Sequence, residues 1–267
     1  MKLIISHRIR KMLFLIGIIL MIINIAGLFT SLRNPEIFTE DTFFDEDITL
    51  TEHQVFYIIS ERDESDEEYA IKINNAVHKG LAHYWSDEGI EKYNLRIPLH
   101  ENYLLNIGSY LIPNMFEKYE YCDYRKALER GVGLCSQHAI VLAGILKENG
   151  IESQLVELSG HIVVLSRIDN KHWILDPDYG VVIEHDLNNI EKNPSIIKKY
   201  YEEAGYDSET IDNLEEIYGK DGNGLKELND YCWKENLIEF FSYLGIWVIA
   251  LLFFLPFSIT YLRKRGS

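Results

Sequence analysis

Gly131-Val132-Gly133-Leu134-Cys135-Ser136-Gln137-His138-Ala139 is the stretch from which the rest of this 267-residue chain can be read. Two glycines precede a cysteine, and apolar residues then recur at helical spacing: Ala139, Leu142, Ala143 and Leu146. Asn149-Gly150 is a helix C-cap signal. Cys135 therefore falls in the first turn of a helix, where unpaired N–H groups and the helix dipole favour a thiolate over a thiol. The Gly131-x-Gly133 pair allows backbone to come close to a substrate carbonyl.

A nucleophilic thiol needs a proton acceptor. Downstream, Gly160-His161-Ile162-Val163-Val164-Leu165 is β-rich, Asp169-Asn170 marks a turn, and His172-Trp173-Ile174-Leu175-Asp176-Pro177 follows. This predicts a hairpin. With Asp169-Asn170 as a two-residue loop, Ile168 faces Lys171, and His161 and Asp176 share a face one diagonal step apart. Diagonal neighbours are about 7–8 Å apart, within reach of long side chains. A carboxylate there can hold an imidazole in one tautomer.

These blocks, in this order, resemble the transglutaminase-like superfamily of papain-like thiol enzymes. The shared pattern runs from about Ala127 to Val182. It comprises a Gly-x-Gly-x-Cys block opening a helix, a His on a strand (Gly160-His161), and an Asp-Pro after a Trp on the next strand (Trp173 to Pro177). The resemblance implies a Cys135–His161–Asp176 triad and an α+β papain-like core, a nucleophile helix packed on a small antiparallel sheet.

Composition sets the surroundings. The formal net charge is −16, unevenly spread. Of 26 Lys/Arg, five stand in the first 33 residues and three in the last 32, leaving 18 between; of 42 Asp/Glu, all but Glu239 lie between, giving 41 there. A net −23 over residues 34–235 argues against nucleic acid as a partner. Of three cysteines, Cys122 and Cys232 can pair in an oxidising space and leave Cys135 free, or stand as two structural thiols.

Met12 to Leu32 is apolar and long enough to span a bilayer, with Arg8, Arg10 and Lys11 before it. No small-x-small cleavage site argues for a signal peptide. Leu237 to Leu262 is a second apolar run, with Pro256 as a kink and Arg263-Lys264-Arg265 after it. By the positive-inside rule, residues 1–11 and 263–267 are cytoplasmic, with transmembrane helices at 12–32 and 237–262. Residues 33–235 then form an extracytoplasmic domain, outside the cell or in a periplasm, with its core at about 65–187 and a helical extension at 188–235.

Within that domain, Gln54-Val55-Phe56-Tyr57-Ile58-Ile59 reads as β-like, Glu68 to Trp85 as an amphipathic helix with a core-facing stripe, and His100 to Leu111 as helix. Asp123 caps a short helix through Glu129. Gln154 to Leu158 pairs with the His strand, and Val181-Val182-Ile183 extends the sheet. Asn188 to Gly205 and Ser208 to Tyr218 read as helices, and Lys220 to Gly224 as a loop.

Each site residue has rivals. His138 lies one turn after Cys135, His172 falls on the same hairpin face as His161, and Asp178 competes with Asp176, although Pro177 ends the ladder. A second oxyanion donor beside the Cys135 N–H can come from Asn102 or Gln137; the sequence does not choose. Cys135-x-x-His138 lacks a second ligand pair, so no metal site is expected there, and no cofactor fingerprint occurs. The expectation is a membrane-anchored thiol enzyme performing acyl transfer on a peptide or protein substrate on the outer side of the membrane, hydrolysis ahead of cross-linking. The rival is a tethered binding or assembly module that keeps the fold.

Overall fold

A computed structural model describes residues 6–38, 48–84, 89–220 and 222–256. The chain opens with α1 (His7–Gly27). Next comes α2 (Glu52–Ser60), where a strand was expected. Thr51 and Gln54 form a reciprocal capping box, and this local helix start outweighs the β-branched run behind it. The same device, Ser65 with Glu68, starts α3 (Asp66–Gly80). That helix ends at Gly80, short of the expected end; Trp85 lies outside the described residues.

The chain then makes β1 (Ala82–His83) and α4 (Gly89–Lys92). It continues through α5 (Leu99–Leu111) and α6 (Pro113–Phe116). Inside α5, Asn102 is non-helical (φ −155°), and its side-chain oxygen accepts from the N–H groups of Leu104 and Leu105, so the helix restarts there. Asp123 caps α7 (Tyr124–Arg130), as expected. After β2 (Val132–Gly133) comes α8 (Cys135–Glu148), buried along nearly its whole length from Ser136 to Leu146.

The hairpin is as the sequence predicts. It follows β3 (Ser153–Glu157) and consists of β4 (Ile162–Ile168) and β5 (Lys171–Asp176), with Ile168 opposite Lys171. Asp169 and Asn170 both take positive φ, 47° and 64°, as a two-residue turn of this hand requires. The edge strand β6 (Val181–Ile183) pairs with β5.

The C-terminal extension contains α9 (Leu187–Lys192), α10 (Lys198–Glu203) and α11 (Ser208–Tyr218). The expected single helix from Asn188 to Gly205 is broken at Asn193-Pro194, because Pro194 has no N–H to continue the ladder. Gly224, expected in a loop, opens β7 (Gly224–Lys226), which pairs with β3. The sheet order is β6-β5-β4-β3-β7, all antiparallel.

Two layers sandwich this sheet. One face, with Leu155, Val164, Trp173 and Leu175, joins the core of α8 and α3. The other, with Val156, Val163, Ile174 and Ile183, is covered by Ile190, Tyr201, Leu214 and Tyr218 of the extension. Burial on both faces explains why β4 reads as a nearly continuous apolar run.

The short α12 (Leu228–Tyr231) leads into α13 (Trp233–Leu252). Both α1 (mean hydropathy 2.2) and α13 (1.5) are long and apolar enough to cross a membrane. They lie side by side: the Asn24 amide donates to Ile246 O at 2.9 Å, and Gly17 faces Ala250. Residues 257–262 of the second expected span lie outside the described residues.

Cys122 and Cys232 form a disulfide 110 residues apart in sequence, and Cys135 is free. It ties the segment before α7 to the start of α13. Closing a loop of this length is expected to stabilise by about 2–5 kcal/mol. Thermal unfolding of the detergent-solubilised chain should therefore shift down in the Cys122→Ser/Cys232→Ser double variant, and reductant should shift the parent but not the variant.

Candidate active site

Helix α8 starts where a buried network places it. Arg130 is fully buried. Its guanidinium donates to Val132 O (3.0 Å), to Tyr119 O and to Gln137 Oε1 (3.0 Å). Gln137 also takes the Tyr121 N–H (2.8 Å) and donates to Tyr121 O (2.7 Å). Gln137 therefore joins the turn to the helix and is not an oxyanion donor. Asn102 is not one either, since its amide donates to Ser242 Oγ on α13 (2.9 Å).

The two glycines shape this junction. Gly131 caps α7 in the left-handed region (φ 77°), and a Cβ there would lie 2.5 Å from the Arg33 guanidinium. A Cβ on Gly133 would lie 2.4 Å from that of Gln137. On the other side β2 pairs in parallel with β1, His83 opposite Gly133, which brings His83 close to Cys135.

Cys135 sits half-buried at the first position of α8. Facing it is His161, at the start of β4 and 5 % exposed. The imidazole Nε2–H donates to Asp176 Oδ2 at 2.8 Å, and a ring nitrogen lies within 4.8 Å of the Cys135 sulfur. The sequence-predicted trio is thus brought together. Burial opposes charge on His161, but the Asp176 charge and hydrogen bond, the Cys135 bond and the Asp178 charge outweigh it and raise its pKa well above the ordinary imidazole value.

Asp176 is fully buried and fully bonded. Its Oδ2 also accepts the Tyr201 hydroxyl at 2.6 Å, and its Oδ1 accepts the N–H groups of Asp178 (3.2 Å) and Tyr179 (3.3 Å). Tyr201 lies on α10, and its hydroxyl is 3.2 Å from that of Tyr218 on α11. Burial, and then the nearby Asp176 charge, push the Tyr201 pKa well up, so it stays a donor. Nothing local in the sequence announces this contact between the extension and the site.

The rival residues have other places. His172 is exposed on β5 at the far end of the hairpin. Both ring nitrogens of His138 are taken up by carbonyl oxygens, of Leu134 and Leu81, each at 2.8 Å. Asp178 lies beyond the ladder, in the turn after Asp176, and its carboxylate accepts from His83 Nδ1 at 2.7 and 2.8 Å. One carboxylate oxygen of Asp178, the Cys135 sulfur and a His161 ring nitrogen all lie within 4.8 Å of one another. Burial opposes ionisation of Asp178, yet the charge of His138, the bond and charge of His83, and the charge of His161 hold its pKa down at about 2.

His83 escaped the sequence reading because the α3 helix was carried past it. Gly80, with His78 and Lys79 before it, is the stop signal that would have released His83 from the helix.

Two predictions follow from the carboxylates. Tyr201→Phe removes a hydrogen bond to a charged, buried acceptor, and should cost about 1.5–3 kcal/mol in denaturant unfolding. Asp178 has its pKa lowered from 3.8 to about 2 by folding, so its contribution is full above the unfolded value and is lost as pH falls through about 2. That contribution is about 2 kcal/mol at neutral pH, and Asp178→Asn should lose it and show a correspondingly shallower loss of stability below about pH 4. No family model, curated protein or solved structure matches this chain.

Proposed function

We propose that the chain is a membrane-anchored thiol enzyme of the transglutaminase-like, papain-like type, performing acyl transfer on an amide of a peptide or protein. The observation that carries this reading is the alignment of Cys135 at a helix start, a His161 ring nitrogen within 4.8 Å of its sulfur, and Asp176 at 2.8 Å behind His161. The Cys135 sulfur attacks the amide carbonyl, and the developing oxyanion faces the Cys135 N–H, which has no acceptor within its own helix. His161 takes the Cys135 thiol proton and gives it to the leaving amine, which departs as the C–N bond breaks and the thioester forms. Water, deprotonated by His161, then attacks the thioester; the C–S bond breaks, the carboxylic acid leaves, and His161 returns its proton to the Cys135 sulfur. Asp176 keeps the imidazole in place through both steps, and Tyr201 keeps Asp176 in place.

Hydrolysis is favoured over transamidation because Cys135 is only half-buried, so water can reach the thioester. The anchor would be α1 with α13. Their exposed apolar side chains, such as Leu15, Ile22, Phe240 and Phe241, fit a lipid surround, and exposed Ile107, Leu111 and Ile112 of the neighbouring α5 edge extend that surface. The Arg8–Lys11 cluster at the start of α1, the Arg263–Arg265 cluster near the C-terminus, and the disulfide together support cytoplasmic termini and a domain on the oxidising side.

The test is the pH profile of Cys135 alkylation by iodoacetamide in the metal-free, detergent-solubilised chain. A thiolate–imidazolium pair should react rapidly at about pH 6–7, well below the ordinary thiol value of about 8.5. His161→Ala should slow that reaction at least tenfold and restore a simple thiol titration, with Asp176→Asn between the two. A parent profile that follows an ordinary thiol and ignores His161→Ala would sink the enzyme reading in favour of a binding module.

A further inference from the structure

The acyl-transfer scheme uses Asp176 and leaves Asp178 without a task, although Asp178 is buried and has a carboxylate oxygen within 4.8 Å of the Cys135 sulfur and a His161 ring nitrogen. Three atoms no more than 4.8 Å apart share a centre within about 2.8 Å of each; coordination of zinc at about 2.0–2.3 Å needs each to close by roughly half an ångström. The donor set is one thiolate, one imidazole and one carboxylate, all of types that zinc accepts.

Each nitrogen or oxygen donor is also held from behind. His161 Nε2 is fixed by Asp176, and the Asp178 carboxylate is fixed by His83. Ligating imidazoles and carboxylates in metal sites have this kind of support, which keeps them oriented. The half-buried sulfur leaves a side open for a fourth, water ligand. This set differs from the Cys135-x-x-His138 pair, whose histidine is turned to backbone carbonyls.

We propose that Cys135, His161 and Asp178 form a binding site for a thiophilic divalent cation, of which zinc is the type, and that the bound ion blocks the nucleophile. The ion forms coordinate bonds to the sulfur, to His161 Nδ1 and to an Asp178 oxygen; the proton shared by sulfur and imidazole leaves to solvent, and nothing is oxidised or reduced. The block on catalysis rests on the acyl-transfer reading, whereas the binding itself does not.

Cobalt(II) is the probe, added to the full-length chain in detergent with its disulfide intact. The parent should bind one equivalent with a thiolate-to-cobalt charge-transfer band. Zinc should displace the cobalt and protect Cys135 from iodoacetamide, reversibly on chelation. Cys135→Ser, nearly the same shape, should abolish the band. Asp176→Asn, behind a ligand, should weaken binding by about 10–100-fold, and Asp178→Asn, at a ligand, by at least as much. The absence of a band in the parent, or unchanged affinity in Asp178→Asn with a native circular dichroism spectrum, would overturn the site. Should Asp178→Asn not fold, cadmium-113 NMR of the parent decides: one resonance shifted for a single sulfur with nitrogen and oxygen supports the set, and only the aqueous-ion signal overturns it. Fast, His161-dependent alkylation without cobalt binding would defeat this inference alone; cobalt binding with an ordinary alkylation profile would defeat the enzyme reading alone.

Discussion

The Asp176 carboxylate is the interaction on which the arrangement depends. A carboxylate withdrawn from water costs several kcal/mol unless its lone pairs are filled. Here four donors fill them: His161, Tyr201 and the N–H groups of Asp178 and Tyr179. Those donors belong to the start of β4, to the extension and to the turn after β5. Satisfying one buried charge thus fixes the imidazole, docks the extension on the sheet and shapes the turn that delivers Asp178. The extension is part of the site's support.

A second buried charge does the same for Cys135. Arg130 cannot be left unpaired in the interior, and its partners are backbone carbonyls on either side of it and the Gln137 side chain one turn into α8. The path from α7 through Gly131 and Gly133 into the helix is narrow, because Arg33 fills the space over one glycine and Gln137 the space over the other. Cys135 therefore starts its helix at one place relative to β1 and His83. The two charges work from opposite sides of the sulfur, one through helix entry and one through the sheet.

How much of this the sequence discloses depends on the range of the interaction. The hairpin register was legible because Asp169-Asn170 is a two-residue turn whose chemistry is local, and that register alone put His161 and Asp176 on one face. The Cys135 helix was legible from its spacing. At residues 54–59 the apolar, β-branched composition points to a strand, and the Thr51/Gln54 capping box, itself a local signal, decides for helix. The helix through Gly205 was drawn across Pro194, whose meaning was equally local. The Tyr201–Asp176 bond and the His83–Asp178 pair link residues 25 and 95 positions apart, and no periodicity encodes them. Site composition was thus readable where it lay on one hairpin and one helix, and hidden where the tertiary fold supplied it.

The pairing of α1 with α13 has a consequence for the order in which the chain is made. Asn24 finds its acceptor in Ile246, 222 residues later. At synthesis rates of about 5–20 residues per second, the first helix exists for roughly 10–45 seconds before its partner emerges. During that interval the Asn24 amide must be satisfied by something other than Ile246, while the sheet and α8 can already assemble between the two ends. The later helix thus completes the earlier one, and the pair closes only after the domain between them has been made.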